Sequence, residues 1–307
     1  MPTVFTGSDT YPAQATPPVL TIGNFDGLHL GHRHLIDALV QASRAAEAPA
    51  AVYTFDPPPR VVLSPDSRAP RIQSWDDKVR IMGELGVDHI IVETFTREFA
   101  QHPPEWFLDV VVGQRIRPQA MVVGYDFRFG RGRSGDVDTL RTAFPKTPVT
   151  QVSPLEQEGE TVSSSRIRKL VAEGCVKDAA ALLGCPHRIR GEVVAGDARG
   201  RTIGFPTANL QTPAELTPAR GVYAVRARSA DGAWHRAVAN LGTRPTFDGK
   251  GFLIEVHLLD FVGDLYGATL EVDFIARLRG ELSFASAEQL ISQIQTDIAV
   301  AERVLKT

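Results

Sequence analysis

The chain is poor in several features, and each shortage closes off a class of protein. It has only two cysteines, Cys175 and Cys185, in 307 residues. Two thiols make no disulfide framework, and neither has the neighbouring ligands of a zinc site. They read as ordinary thiols in a reducing compartment. No apolar run reaches the roughly 18–20 residues that a membrane-spanning helix needs. Met1–Pro18 lacks the basic segment and apolar stretch of a signal peptide. The cytoplasm is the expected location, with no membrane partner. Positive charge is not in excess either. The formal net charge is −3, so no global basic field points to nucleic acid. Repeats and low-complexity tracts are missing, and a monomer or weak homo-oligomer is the expected state.

What remains is an ordinary globular composition. At 43% hydrophobic residues over 307 positions, there is enough apolar surface for about two cores. The first half alternates short β-rich runs with helical stretches. Strands are expected at Val19–Gly23, Ala50–Phe55, His89–Phe95, Ala120–Val123 and Val149–Val152. Helices are expected at Gly31–Ala46, Asp76–Leu85, Pro104–Val112, Gly135–Ala143, Ser165–Glu173 and Val176–Leu183. This alternation predicts an α/β fold with a parallel sheet covered on both faces. Ligands of such sheets bind beyond the carboxyl ends of the strands.

Cys185-Pro186 breaks the pattern, and the domain boundary is placed there, giving domains 1–184 and 185–307. The second half reads as strands without intervening helices: Arg188–Val194, Gly221–Arg228, Trp234–Leu241, Leu253–Asp260 and Thr269–Leu278. Such a meander predicts a small antiparallel barrel. A terminal helix, Ser286–Leu305, carries Leu290, Ile291, Ile294, Ile298 and Val304 as a stripe to pack on it.

Three segments of the first half carry chemistry. At the first strand-to-helix turn, Gly23, Phe25, His29, Gly31 and His32 stand in the run Gly-Asn-Phe-Asp-Gly-Leu-His-Leu-Gly-His. Residues three apart share a helix face. Two imidazoles at a helix start, with its free N–H groups and positive dipole end, suit a polyphosphate. Read alone, they are equally two surface histidines. Next, Asp126 leaves a strand beside Phe127 and Phe129. Asp126 can accept hydrogen bonds from a base or ribose, while the two rings stack on a ligand or fill the core. Finally, Ser163, Ser164 and Ser165 precede Arg166 and Arg168. Hydroxyls here serve as helix caps, and with the arginines they also make an anion site for departing pyrophosphate.

The second half offers a glycine-rich loop, Gly196-Asp197-Ala198-Arg199-Gly200-Arg201-Thr202-Ile203-Gly204, leading into Phe205-Pro206-Thr207-Ala208-Asn209. Gly196, Arg201 and Gly204 can present N–H groups and charge to phosphates, although this is not a Walker loop. By itself it also reads as a glycine-rich turn. Thr207 and Asn209 point the same way if the segment is extended, and their hard oxygens suit Mg²⁺ held together with ATP. Glu255 and His257 share one face of a strand, opposite Ile254, Val256 and Leu258. A carboxylate so placed can accept a hydroxyl proton or simply face solvent.

In order and spacing, the first-half segments resemble the adenylyltransferase module of bacterial bifunctional riboflavin kinase/FAD synthetases. The Pro-Thr-Ala-Asn segment, Gly221-Val222-Tyr223, Asn240-Leu241-Gly242-Thr243-Arg244-Pro245-Thr246-Phe247 and Asp264-Leu265-Tyr266-Gly267 are similar to the kinase module. The resemblance covers about Leu20 to Leu305. It implies a Rossmann-like nucleotidyltransferase domain and a riboflavin kinase barrel, with riboflavin, FMN and ATP as small-molecule substrates, FAD as product and Mg²⁺ as cofactor. It implies that His29 and His32 contact ATP phosphates, that Asp126 places nucleotide or flavin, and that Ser164 and Arg168 serve the phosphate end. It assigns Thr207 and Asn209 to Mg²⁺–ATP and makes Glu255 the general base. Phe127 and Arg279 are expected at flavin. The chain departs from the family pattern at Pro58, where histidine is common, at Asp126, often Asn, and at Ser165, often Thr.

Overall fold

The computed structural model of the chain describes residues 1–64, 69–196, 200, 203–229, 232–244 and 251–306. The chain divides into two compact units, Met1–Pro70 with Ser74–Ser163, and Arg71–Gln73 with Ser164–Thr307.

In the first unit, strands β1 (Thr3–Thr6), β2 (Val19–Ile22), β3 (Ala50–Phe55), β4 (His89–Glu93), β5 (Ala120–Gly124) and β6 (Val149–Val152) form one sheet. Its order is β1-β4-β3-β2-β5-β6, and the pairings are parallel. β2 is buried along its whole length, in keeping with its mostly apolar sequence, Val-Leu-Thr-Ile. Helices α1 (Leu30–Ala45), α2 (Pro59–Leu63), α3 (Trp75–Glu84), α4 (Pro104–Trp106) and α5 (Val137–Ala143) connect the strands. α1 buries Leu35, Ile36, Leu39 and Val40 against Val19, Val52 and Val122 of the sheet. The expected helix from Pro104 runs on past Val112 as a π-helical stretch, Phe107–Ile116, because apolar residues continue to face the core as far as Ile116. Two short strands, β7 (Glu156–Gln157) and β8 (Glu160–Thr161), make a hairpin before the second unit.

From β2 the chain winds one way through β3 and β4, and then crosses to β5 on the other side of β2. This reversal opens a crevice at the carboxyl ends of β2 and β5. The His-x-Gly-His turn follows β2, and Asp126 follows β5.

The second unit begins with α6 (Ser164–Ala172) and α7 (Val176–Leu183). The expected division at 184/185 counts these helices with the first half. By packing they join the second, since Val176 belongs to the barrel core. Strands β9 (His187–Val194), β10 (Ala208–Gln211), β11 (Gly221–Arg228), β12 (Trp234–Arg244), β13 (Gly251–Leu258) and β14 (Thr269–Arg279) close into a barrel of order β10-β13-β12-β11-β14-β9. Alternation fills the interior with Val225, Ala227, Ala237, Ala239, Leu241, Ile254, Val256 and Leu258. β10, which the sequence shows only as a motif, is a strand. It pairs with both β9 and β13 and closes the barrel.

The last helix, α8 (Ala287–Leu305), docks on the barrel through Ala301 and Leu305 against Ala224, with Val304 partly buried. Leu290, Ile291, Ile294 and Ile298 of the expected stripe are half-buried. A buried carboxylate does as much to fix the helix. Asp297 accepts from Arg279 Nη2 at 2.7 Å and Nε at 3.0 Å, and from Gln293 at 2.8 Å.

Candidate functional site

The turn after β2 is held in a strained shape. Phe25 and Leu28 have φ of 49° and 40°, values uncommon outside glycine. Such strain persists where surrounding contacts fix it, and functional sites are where it collects. His29 then caps α1, its Nδ1 accepting from the His32 N–H at 3.3 Å. That bond leaves the other ring nitrogen, Nε2, as the protonated donor. The two imidazoles stack, with centroids 3.6 Å apart and planes 16° from parallel. Gly31 leaves the stack room: a Cβ there would press on the His29 ring at 3.3 Å and meet the Val162 carbonyl at an ordinary 3.5 Å.

Burial, and then the neighbouring His29 and Lys78 charges, hold the His32 pKa well below the usual imidazole value. His32 is therefore neutral near pH 7. Its Nδ1 and the Asn24 Oδ1 are buried polar atoms with no hydrogen-bond partner. Buried polar atoms are normally satisfied, and orphans at a strand's carboxyl end mark a place prepared for a ligand.

The other first-half residues fall partly into place. Asp126 is exposed in the turn after β5, the neighbour of β2. Phe129 is buried in the core, and Phe127 lies stacked over it at 5.3 Å, partly buried. Of the two roles left open for this pair, Phe129 takes the core and Phe127 keeps part of its surface exposed. Gly23 and Phe25 are neighbours in the turn, Phe25 fully buried. Ser163 closes the first unit, whereas Ser164 opens α6 and Arg168 lies half-buried on it, both in the second unit.

On the barrel, strand register assembles the site. Asn209 on β10 and Asn240 on β12 both pair with Glu255 on β13. Paired residues share a face. Their neighbours Ala208, Leu210, Ala239, Leu241, Ile254 and Val256 fill the interior, so the three polar side chains stand together on the outer wall. Asn240 Nδ2 donates to Glu255 Oε2 at 3.2 Å. His257, on the same face, pins the Pro206 carbonyl with Nδ1 at 2.7 Å, just before Thr207. Asn209 is only 7% exposed although it faces outward. Gly196 covers it so closely that a Cβ would lie 2.0 Å from its amide nitrogen. The Gly200 carbonyl accepts from the Phe205 N–H at 2.8 Å, folding the loop back toward Thr207. Gly204 lies in an exposed turn. Arg201 lies outside the described residues. Arg279 has its guanidinium occupied by Asp297 and the Gly280 carbonyl, which makes it the clamp of α8.

Among the described residues, no group of three or more His, Cys, Asp or Glu side chains is arranged to hold a metal. Thr207 and Asn209 supply hard oxygens only. That donor set fits Mg²⁺, which keeps few protein ligands and takes its others from phosphates and water.

Two residues of these sites do not stand out in the sequence. Lys78, 6% exposed on α3, donates to the Asn24 carbonyl at 2.8 Å. Its one signal is a lysine on the apolar stripe Trp75–Met82. Asn240 gives no such signal, because only strand register brings it to Glu255.

A parallel sheet with a histidine-bearing turn at its switch point, joined to a closed barrel with a polar outer wall, defines a two-domain nucleotide-dependent transferase. The sequence matches the FAD synthetase family over residues 11–166 and the riboflavin kinase family over residues 183–305. It is 39% identical over 281 residues to the bifunctional riboflavin kinase/FMN adenylyltransferase of Escherichia coli strain K12, covering 91% of this chain and 90% of that one. The protein of the same description from Bacillus subtilis strain 168 is 37% identical over 287 residues, covering 91% and 90%. A crystal structure described as a macrolide-efflux protein from Streptococcus pneumoniae superposes with a TM-score of 0.89 at 33% identity, covering 97% of this chain and 98% of that one. No helix among the described residues is long and apolar enough to cross a membrane. The chain belongs to the bifunctional riboflavin kinase/FMN adenylyltransferase family.

Proposed function

We propose that this chain phosphorylates riboflavin to FMN on its barrel and transfers an adenylyl group from ATP to FMN on its parallel-sheet unit, giving FAD and pyrophosphate. The observation that carries this reading is that each compact unit holds a polar constellation of its own. One is a stacked histidine pair at the sheet's switch point, and the other a carboxylate flanked by two asparagines on the barrel wall.

On the barrel, Glu255 accepts the proton of the riboflavin 5′-hydroxyl as that oxygen attacks the γ-phosphorus of ATP. The bond from that phosphorus to ADP breaks, and ADP leaves. Asn240 holds one carboxylate oxygen, which leaves the other for the hydroxyl. Thr207 and Asn209 would hold Mg²⁺, which would neutralise phosphate charge when bound. Gly196, Arg201 and Gly204 belong to the ATP loop. Most of the gain comes from holding the hydroxyl in line.

On the parallel sheet, an oxygen of the FMN phosphate attacks the α-phosphorus of ATP, and the bond to pyrophosphate breaks. The FMN phosphate is already ionised, so no general base is required. His29 donates through Nε2, and the stacked, neutral His32 shapes the same pocket. Gly23, Phe25 and Gly31 let the nucleotide approach the backbone. Asp126 takes nucleotide or flavin and Phe127 stacks on flavin, and Ser163 serves phosphate; Ser164 and Arg168, on α6, are assigned to phosphate by the family resemblance. Arg279 acts at one remove, by holding α8. Functional domains of 1–184 and 185–307 are part of the proposal, although α6 and α7 pack with the barrel unit, and the substrates are small molecules of the cytoplasm.

The test is a time course with the purified full chain, riboflavin, ATP and Mg²⁺, resolving the flavins. FMN appears first and FAD second. A chain that binds riboflavin tightly but consumes no ATP would refute the reading.

A further inference from the structure

A lysine buried to 6% exposure is rare, because its charge loses hydration, and one that persists has a task. Lys78 sits near the start of α3, whose first turn is fixed by Ser74 accepting from the Asp77 N–H at 3.2 Å. Its aliphatic stem runs beside Trp75, with Nζ 5.6 Å from the ring centroid. Nζ reaches the Asn24 carbonyl at 2.8 Å, and the Thr54 hydroxyl of β3 approaches the same oxygen at 3.4 Å. That carbonyl is therefore gripped from the sheet side. In a trans peptide the C=O and the following N–H point in opposite directions. Holding the Asn24 oxygen inward turns the Phe25 N–H outward, toward the crevice beyond β2. Phe25 itself has φ 49°, in the αL region. Two further observations converge here. Asn24 Oδ1 and His32 Nδ1 are buried without hydrogen-bond partners, and Lys78 is one of the charges that act on His32.

We propose that Lys78 is a positioning residue for adenylyl transfer: its grip on the Asn24 carbonyl aims the Phe25 N–H at the phosphates of ATP and sets a buried cation behind His32. This rests on the reading of the turn as the triphosphate site. Lys78 does not touch substrate. It makes one backbone donor rigid before the reaction begins, the kind of preorganisation that stabilises charge developing on a phosphate.

The experiment compares full-length Lys78→Met, Lys78→Arg and His29→Ala with the parent, measuring FMN-to-FAD and riboflavin-to-FMN conversion in each. Lys78→Met keeps the stem and removes the charge. Its kcat for FAD formation is expected to fall about 100-fold, near the loss seen when one oriented donor is removed. The KM for ATP should change less than about threefold, since the donor acts mainly in the transition state. Kinase turnover should be unchanged. Lys78→Arg, which keeps a donor and the charge, should recover at least about a tenth of the parent rate.

An NMR titration of the parent histidines gives a reading that does not depend on any variant folding. The titratable groups acting on the His32 ring are His29 on its own turn and Lys78 on α3. His32 should stay neutral well below the ordinary imidazole midpoint, and in Lys78→Met that midpoint should rise. A parent His32 that titrates at the ordinary value overturns the proposal. So does a Lys78→Met chain with kcat within threefold of the parent, or one whose loss appears wholly in KM. His29→Ala separates the role of Lys78 from the location of the site. If it abolishes FAD formation while Lys78→Met does not, only the role of Lys78 falls. If His29→Ala leaves FAD formation intact, the site itself is elsewhere.

Discussion

The two units solve one problem, holding polar groups against ATP, with different backbones. The first unit uses a loop at the end of its strands. There the geometry comes from turns and caps: positive φ at Phe25 and Leu28, a histidine as helix cap, and a lysine gripping a carbonyl from below. The barrel uses the flank of its strands. Asn209, Glu255 and Asn240 are aligned by ladder pairing alone, and their spacing is that of any cross-strand pair. A loop site can be tuned residue by residue, but it needs buried support. A register site needs no special support, but a one-residue slip of any one strand would turn that strand's polar group into the core.

That contrast can be broken most decisively at Glu255. Glu255→Gln should lower riboflavin phosphorylation by about a thousandfold, within the range for loss of a general base. FAD formation from supplied FMN should persist, as measured by flavin chromatography. The reciprocal variant, His29→Ala, should lower FAD formation by about a hundredfold and leave FMN formation intact. If either change abolished both activities, the two sites would not be independent.

A smaller effect tests what supports the barrel. Asp297 is 5% exposed and held by Arg279. Asp297→Ala takes from the Arg279 guanidinium its carboxylate partner, leaving it the Gly280 carbonyl, and should cost about 2 kcal/mol, read as a lower urea midpoint for the barrel. A variant with an unchanged midpoint would mean that α8 is held by its apolar contacts.

Histidine burial sharpens the comparison next, because both units bury one. In the barrel, His187 is held down to about 4 by burial, against the opposing pull of its hydrogen bond to the Leu216 carbonyl. The unfolded chain takes up this proton near the ordinary value of about 6.5, whereas the folded chain does so only near 4. Stability is therefore greatest above pH 6.5 and falls as pH drops through that window, by roughly 3 kcal/mol. His187→Gln should flatten this dependence in urea unfolding followed against pH. His32 shifts in the same direction in the first unit, so a second, independent slope belongs there.

The smallest expected effect is at Asn240. Asn240→Ala removes one exposed, charge-assisted hydrogen bond and should lower kinase turnover about tenfold, without changing FAD formation from FMN. A loss approaching that of Glu255→Gln would make Asn240 more than a support.

Much of this architecture is legible in the amino-acid sequence. The strands Ala50–Phe55, Val149–Val152 and Gly221–Arg228, and the helix Val176–Leu183, have the bounds that their apolar patterns predict. The His-x-Gly-His turn lies at the expected edge of the sheet. Short strands are harder to see. β1 and β10 give no strand signal of their own, although Val149–Val152 is as short, and each exists because a distant strand offers its ladder. The helices α6 and α7 are visible as helices, but not the unit with which they pack.

Local chemistry determined the rest of what could be read: which segments alternate with period two or 3.6, where glycine and proline interrupt them, and which polar residues cluster along the chain. These depend on neighbours within a few positions. Tertiary structure alone decided that Asn240 would bond to Glu255, fifteen residues away, that Arg279 would be taken by Asp297, and that Lys78 would reach back fifty-four residues to Asn24. Such partners are chosen by sheet register and by burial, and burial sets the strength of a charge by excluding water, a property that no stretch of sequence carries by itself.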